Sequence, residues 1–575
     1  MKLYALNKRS IVLTSLFFSL LLSLPSSGQT PISDYFPDII IRESNNPAPG
    51  YFFLAAKGLT APGASLYIAI VDNYGTPVFF RKMNKASGYL RLLPDGRIGN
   101  MNGVPRKLNI LNDMLEIETT YSIEGFGSNG HDWASDAEGN ILLMGEAISY
   151  KDMSALIEGG NENAEVLDLI VQEFDNQGNL KYTWNSADHF DIFDGNENSP
   201  FLDYTEAQLD YVHANSITID SDTSFLISCR HMDQITKVDR RSGEIIWNLG
   251  GKKNDFTFIN DPLGFSHQHS ISILDNGDLL LFDNGNLHEE QISTSVVYRL
   301  DQANKTATLI ERIGRTPAVY CNHGSGTQRV YNGNTINFWG TYWPSATEFH
   351  PDGSVALEID FTHHSFSPGI FKFLWETKVF ETDKDSVDFG QVETQAALFS
   401  EISVTNNKAD ELILNGFSAH EDNFDISTDF PINIPAGESK TITIRFKGDE
   451  VDKGVYDDVI TLFSDTEDQR IARQIWVFAE KTNELTDVSD INLNKEAFVL
   501  SPIPASSTLQ IQTNSNTAKR FEIFNLNGKS IYAGPVFKTM DYSVDIRFLN
   551  KGIYFLVLSN LDDNTRKTKK FIVNY

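Results

Sequence analysis

The stretch from Tyr211 to Gly251, YVHANSITIDSDTSFLISCRHMDQITKVDRRSGEIIWNLGG, decides the fold. Short apolar runs alternate in it with polar turns, and runs of that length bounded by Gly, Asn and Asp are strands. His213 stands near its start. The same pattern returns at His131 (NGHDWASDAEGNILL), His269 (SHQHSISILDNGDLLL) and His323 (NHGSGTQRVYNGNTINF). The spacing from histidine to the polar residue before the second run is nearly constant: His131 to Asn140, His213 to Ser224, His269 to Asp278, His323 to Asn334. Strand repeats of roughly 40–60 residues predict the blades of a β-propeller. Equivalent positions on successive blades surround one axis, so the four histidines are expected to meet in an axial pocket. A ring of imidazoles there offers a nucleophile, a proton donor and anion-stabilising donors together.

Outward from that stretch the repeat appears six times, beginning at turns at Asp72, Asn112, Asp175, Asp239, Asp301 and Asp352. The expected class is therefore all-β, with a six-bladed propeller over residues 36–380. The strand around Tyr51 to Ala56 is placed to close the ring against the last blade, which would remove an open edge. From Ser386 the pattern changes. Seven or so short strands (SVDFGQV, FSEISVTNN, LILNGF, NFDIS and onward) predict an immunoglobulin-like sandwich over residues 386–480. Asn483 to Asn494 is polar and acidic and reads as a linker. A second small β-sandwich follows over residues 496–575.

Composition limits the functions. The N-terminus carries Lys2, Lys8 and Arg9, then the apolar run Ile11 to Leu24, then small residues around Gly28. That is a secretory signal over residues 1–28, and no later segment is apolar enough to span a membrane. A net charge of −30 disfavours nucleic acid and anionic membranes as partners. It also means that an anionic substrate needs a local cationic pocket. Cys229 and Cys321 are the two cysteines. In an oxidising compartment they either form one bridge between neighbouring blades or remain buried thiols. The chain lacks a phosphate-cradling glycine loop, CxxC and HExxH, and its Asp/Asn-rich turns lack calcium-loop spacing, so neither cofactor nor metal is expected.

Joined together, the Tyr211–Gly251 stretch, FSHQHSISILDNGDLLLFDNGN and HGSGTQRVYNGNTINFWG resemble the aryl-sulfate sulfotransferases over roughly residues 40–380. The resemblance implies a six-bladed propeller that moves a sulfuryl group from one phenol to another through a sulfohistidine, without a nucleotide sulfate donor. It places the sulfurylated nucleophile at His323, with His269 as the competing position and otherwise a donor to the sulfuryl oxygens. His213 handles the phenol proton with Asn215 beside it, Arg230 binds the sulfate, and His131 completes the pocket; His231 and His288 carry weaker signals. One position departs from the family: Thr294 stands where members usually place an arginine. The last 80 residues, with Pro502/Pro504, Asn527-Gly528-Lys529, Lys551-Gly552-Ile553-Tyr554 and basic Arg566 to Lys570, resemble the C-terminal sorting domain of the type IX secretion pathway. The expected partners are thus a phenolic sulfate donor, a phenolic acceptor and that secretion machinery. The expected place is the outside of a Gram-negative cell, secreted or surface-attached. Two alternatives compete: a non-catalytic binding propeller, which the missing arginine favours, and a sulfate-ester hydrolase on the same fold.

Overall fold

Asp72, Asn112, Asp175, Asp239, Asp301 and Asp352 each turn a side-chain oxygen back onto backbone N–H groups two to four residues ahead. Such Asx turns stabilise tight hairpins. In the computed structural model each one joins the third and fourth strands of a four-stranded antiparallel unit. The structure describes residues 36, 39–57, 66–85, 87–220, 223–340, 342–361, 369–393, 396–466, 468–482, 498–503, 505–525, 530–550, 552–561 and 566–573. The expected signal peptide, the 483–494 linker and the Asn527-Gly528-Lys529 turn lie outside these residues.

The described residues are all-β, with three short 3-10 turns and no α-helix. From inner to outer strand, one unit runs Ile370–Phe373, Tyr51–Lys57, Leu66–Val71, Pro77–Met83. The next runs Ser87–Leu92, Ile98–Asn102, Lys107–Leu111, Ile117–Tyr121. Three more begin with Gly127–Ser135, Ala214–Ile219 and His269–Ile273, and the last runs Gly326–Arg329, Thr335–Phe338, Ala346–Phe349, Val355–Phe361, with Ile39–Ser44 added outside. Tyr51–Lys57 thus pairs with a strand, Ile370–Phe373, that lies far later in the chain. The innermost strands of consecutive units pack against one another. Gln328 bonds both the N–H and the C=O of Lys372, linking the last unit back to the first. Each unit's outer hairpin carries the turn that marks a repeat in the sequence, so the sequence repeat begins in mid-unit.

The region after residue 380 is joined to the body by strand pairing. Gln469–Lys481 pairs antiparallel with Pro77–Met83 through Gln469, Arg470 and Ile471, which extends the first unit into an eight-stranded sheet. Ile70, Phe79 and Leu115 share one core with Leu462, Ile471 and Ile475. The C-terminal residues form a three-stranded and a four-stranded sheet around a core of their own. They touch the body where Phe524 and Phe555 meet Tyr331 and where Lys570 lies 5.4 Å over the Trp476 ring.

The bridge between Cys229 and Cys321 is not formed: both are free thiols. Both are fully buried, which pushes each thiol up to about 12, and Cys321 Sγ instead donates to Trp339 O at 3.4 Å. Cys229 packs in one apolar cluster with Ile227 and Met232, and Cys321 in another with Phe282 and Trp339, so the bridge reading fails.

Candidate active site

Because the histidines open or precede the innermost strands, strand pairing brings them to one end of the body. His131 lies within Gly127–Ser135, His213 precedes Ala214–Ile219, His269 starts His269–Ile273, and His323 precedes Gly326–Arg329. The His131 and His213 rings are 5.0 Å apart, and His213 stacks on His231 at 4.4 Å. Charge interactions tie His269 to His213, His131 and Arg230, and His323 to Arg230. A cavity of about 730 Å³ runs along these strands, lined from Asp132, Ser216 and Ser270 to Leu274, Asn276 and Gly333. The four histidines do not line it, although Asp132 and Ser270, the neighbours of His131 and His269, do.

All four rings are anchored the same way. Nδ1 of His131, His213, His269 and His323 meets Asn129, Asp210, Asn284 and Asn322 respectively. For His269 the tautomer follows from the network. Asn284 spends its Nδ2 on Cys321 O (2.8 Å) and Gly324 O (3.2 Å), so its Oδ1 faces His269 Nδ1 at 2.7 Å as an acceptor. His267 O also lies 3.1 Å from that nitrogen. Nδ1 therefore carries the hydrogen and Nε2 keeps its lone pair. Burial, reinforced by Arg230, holds His269 well below the usual imidazole range, so it is neutral. His131 is fixed likewise: Asn129 donates to Ala214 O and accepts from His131 Nδ1 at 2.8 Å. Burial and then His213 push His131 down to about 4.

His213 differs, because a carboxylate backs it. Asp210 Oδ2 accepts from Nδ1 at 2.5 Å, and its Oδ1 accepts the His213 backbone N–H. Burial works to raise Asp210, but the His213 hydrogen bond and the His213 and His231 charges outweigh it and leave the carboxyl below its usual range. A carboxylate behind an imidazole fixes its tautomer and stabilises the imidazolium, which suits an acid–base residue. His323 is the exposed member. Its Nδ1 meets Asn322, which also accepts from Tyr342 at 2.6 Å, and burial and Arg230 lower it.

Arg230 is the cation among them, 3% exposed. It donates Nη1 to His231 Nε2 and Nη2 to Asn322 O, both at 2.8 Å, while its Nε is buried without a partner. Asn215 gives Nδ2 to Gln268 O and leaves Oδ1 unpartnered. An orphan donor and an orphan acceptor beside four imidazoles fit a bound ester oxygen and a hydroxyl. Burial lowers Arg230 to about 10, still charged at neutral pH. A second guanidinium reaches the His131 side, because Gly130 has no Cβ: one there would sit 2.6 Å from Cγ and Nε of Arg106.

At Thr294, where the resemblance leads one to expect an arginine, Arg312 arrives from the next strand and donates to Thr294 Oγ1 at 3.0 Å. It is committed to Asp283, Asp261 and Gly264 O. Arg299 pairs with Asp278 and is largely exposed. Neither guanidinium stands free at this position.

His231 gained little weight from the sequence, yet it holds Arg230 from one side and donates Nδ1 to Asp210 O at 2.5 Å. Asp210, His213 and His231 stand close enough to hold a metal ion. However, both His231 nitrogens are used, and a dication there would face Arg230. Ser199, His267 and Asp233 also line up, with Ser199 Oγ 2.7 Å from His267 Nε2 and His267 Nδ1 3.2 Å from Asp233. His267 is fully buried, and Asp233 Oδ1 also accepts its backbone N–H at 2.6 Å, so this line acts as a pin. His213, Asp233, His267, Ser270 and Ser325 all hold left-handed backbone at φ of 42° to 69°. Strain of that kind, about 1–3 kcal/mol each, gathers at functional sites.

Four histidines and one buried arginine thus gather at one end of the all-β body. The profile described as Arylsulfotransferase (ASST) matches residues 62–365, and the chain belongs to that family. A secretion system C-terminal sorting domain matches residues 500–574, which marks the chain for export and attachment at the cell surface. Among the curated proteins none matches this chain. Solved structures with some likeness include a streptogramin B lyase, at 10% identity and TM-score 0.29, covering 56% of this chain and 98% of that one. PorZ, a surface component of the type IX secretion system of Porphyromonas gingivalis, matches at 9% identity and TM-score 0.22, covering 93% and 75%. The YadV chaperone matches at 13% identity and TM-score 0.18, covering 34% and 100%.

Among the described residues no helix is long and apolar enough to cross a membrane.

Proposed function

We propose that the protein is a surface-delivered aryl-sulfate sulfotransferase that passes a sulfuryl group from a phenolic sulfate ester to a phenolic acceptor through a sulfohistidine. The body is a closed six-bladed propeller, supported by six four-stranded units with inner strands packed in sequence and the Gln328–Lys372 link between last and first. The region from 386 to 480 is an immunoglobulin-like sandwich serving as a brace.

The fixed, neutral tautomer of His269 carries the reading. Its Nε2 attacks the ester sulfur, the N–S bond forms, and the S–O bond to the donor aryl group breaks. His213, backed by Asp210, passes a proton to the departing phenolate. The acceptor phenol then gives its proton to His213, its oxygen attacks the same sulfur, and the N–S bond breaks to release the new ester. Charge spread over the three sulfuryl oxygens is met by Arg230, with His323 at its side and Asn215 and His131 accepting from a hydroxyl. His269 is preferred to His323 because its ring is held by two acceptors and is 6% exposed, whereas His323 is open to water.

The test is incubation of the full chain with a chromogenic aryl sulfate, with and without phenol. Phenol-dependent release is expected. Phenol-independent release would instead make the protein a hydrolase, and no release would make it a binding propeller.

The acidity of His269 sets a pH dependence. A lowered pKa keeps the neutral nucleophile at pH values where an ordinary histidine is protonated, and reactivity is lost only as pH falls through that lowered value. With a nitrophenyl donor, whose leaving group needs little protonation, the first half-reaction should stay level through about pH 6.5, the normal histidine midpoint. An acid limb centred at that midpoint would move the nucleophile to an unperturbed histidine.

A further inference from the structure

Phe201 lies against the cation of the site. Arg230 Cζ is 4.2 Å from its ring centroid, the His231 ring is parallel to it within 3° at 6.1 Å, and His267 is 5.6 Å away. Yet Phe201 is 43% exposed. A single exposed apolar side chain needs no explanation on its own. This one is exposed over a buried arginine and is held there by the segment between Ser186 and Gln208. Asn196 donates its N–H to His231 O at 2.7 Å and its Nδ2 to Asp233. Ser199 is pinned to His267 and accepts the Phe201 N–H at 3.3 Å, and Lys252 reaches Phe193 O and Gly195 O. Gly195 is required at the bend, since a Cβ there would come within 2.5 Å of Leu202 and 2.8 Å of the Tyr204 hydroxyl. The ring is therefore ordered before anything binds, and little further entropy is lost when a partner stacks on it.

We propose that Phe201 is the wall on which the aryl ring of a sulfated phenol stacks, a specificity-determining residue that makes the site choose aryl over alkyl sulfates. The proposal rests on reading Arg230 as the sulfate-binding cation. Phe201 covers one face of that guanidinium, while each Nη spends one of its two hydrogens and Nε spends none, so three N–H donors remain for an anion. An ester bound there carries its ring only a few bonds from the cation, within the 4.5–7 Å centroid range at which aromatic pairs attract. An alkyl group in the same place gains the area term and loses the ring–ring term.

Calorimetric titration of the full chain with phenyl sulfate, cyclohexyl sulfate and inorganic sulfate tests this without requiring turnover. The native chain should bind phenyl sulfate more tightly than cyclohexyl sulfate. Phe201→Ala should weaken phenyl sulfate about ten-fold and leave inorganic sulfate within two-fold. Phe201→Leu, which keeps bulk, should erase the phenyl-over-cyclohexyl preference, and Phe201→Trp should keep it. Thermal unfolding of each variant verifies that the pinned segment survives. The proposal is overturned if Phe201→Ala binds phenyl sulfate as the native chain does, or if inorganic sulfate weakens in parallel, which would make Phe201 a support for Arg230 only. It is also overturned if the native chain shows no aryl preference. An aryl preference lost in Phe201→Ala, in a protein that transfers nothing to phenol, would sink the transferase reading and keep the wall.

Discussion

His269→Ala will abolish sulfuryl labelling and reduce phenol-dependent transfer by at least about four orders of magnitude, the scale on which covalent catalysts lose activity with their nucleophile. The effect is large because the side chain is both the bond-forming atom and a prepaid geometry. Asn284 and His267 O fix the ring through Nδ1 before the substrate arrives, and burial keeps it neutral. His323→Ala removes an exposed imidazole beside Arg230 and should cost far less, about the 10²-fold of an auxiliary group. The measurement is peptide mapping after incubation with donor alone, at neutral or alkaline pH because an N–S bond is acid-labile. Added mass belongs on the peptide containing His269, and donor and acceptor should show ping-pong kinetics. Label on His323 that survives in His269→Ala would reverse the assignment and return the nucleophile to the position the sequence resemblance suggested. Transfer with no histidine labelled would mean direct passage between the two phenols.

The repeat was legible because its turns are local chemistry. Asp72, Asp175 and Asp301 bond backbone within four residues, so the signal needs no tertiary context. Its phase was not legible. The turns mark outer hairpins, and nothing local says that Ile370–Phe373 supplies the inner strand for Tyr51–Lys57. The histidines could be placed at one end by counting, and Arg230 by the resemblance. What separates His269 from His323 could not be read, because it depends on where Asn284 sends its amide hydrogens: to Cys321 and Gly324, some 40 residues on. In sequence Asn284 is only the middle of an Asp-Asn-Gly turn. Asp210 was readable in principle, three residues before His213, and went unweighted because such a pair is common on any surface. His231 was undervalued because its role, holding Arg230 against Asp210 O, exists only once the chain folds back.

Ending the chain after Lys384 will leave an aggregating body, whereas ending it after Thr482 will leave a folded and active one that fails to reach the cell surface. Residues 386–480 look like a separable module in sequence, but Gln469–Ile471 is the outer neighbour of Pro77–Met83. Arg81 bonds Gln469, Gln474 bridges Tyr51 and Asp72, and Arg473 reaches back to Thr377 O and Thr382. Removing that strand uncovers Ile70, Phe79 and Leu115 from a shared core. Each such side chain contributes about 1.5–3 kcal/mol when buried. Three or four of them approach the 5–15 kcal/mol, roughly, by which a whole domain is stable. The cut also leaves an open apolar edge in the sequence VFF from Val78 to Phe80, a template for pairing with another chain. The cut after Thr482 falls beyond the last brace strand and removes a domain with its own core, together with the small cluster that Ile553 and Phe555 share with Leu374 and the Tyr331 and Trp476 contacts. Size-exclusion chromatography and thermal unfolding compare the two truncations, and cell fractionation follows delivery. A soluble, cooperatively unfolding 1–384 chain would reduce the sandwich to a passenger, and normal surface delivery of 1–482 would remove the sorting role from the C-terminal domain.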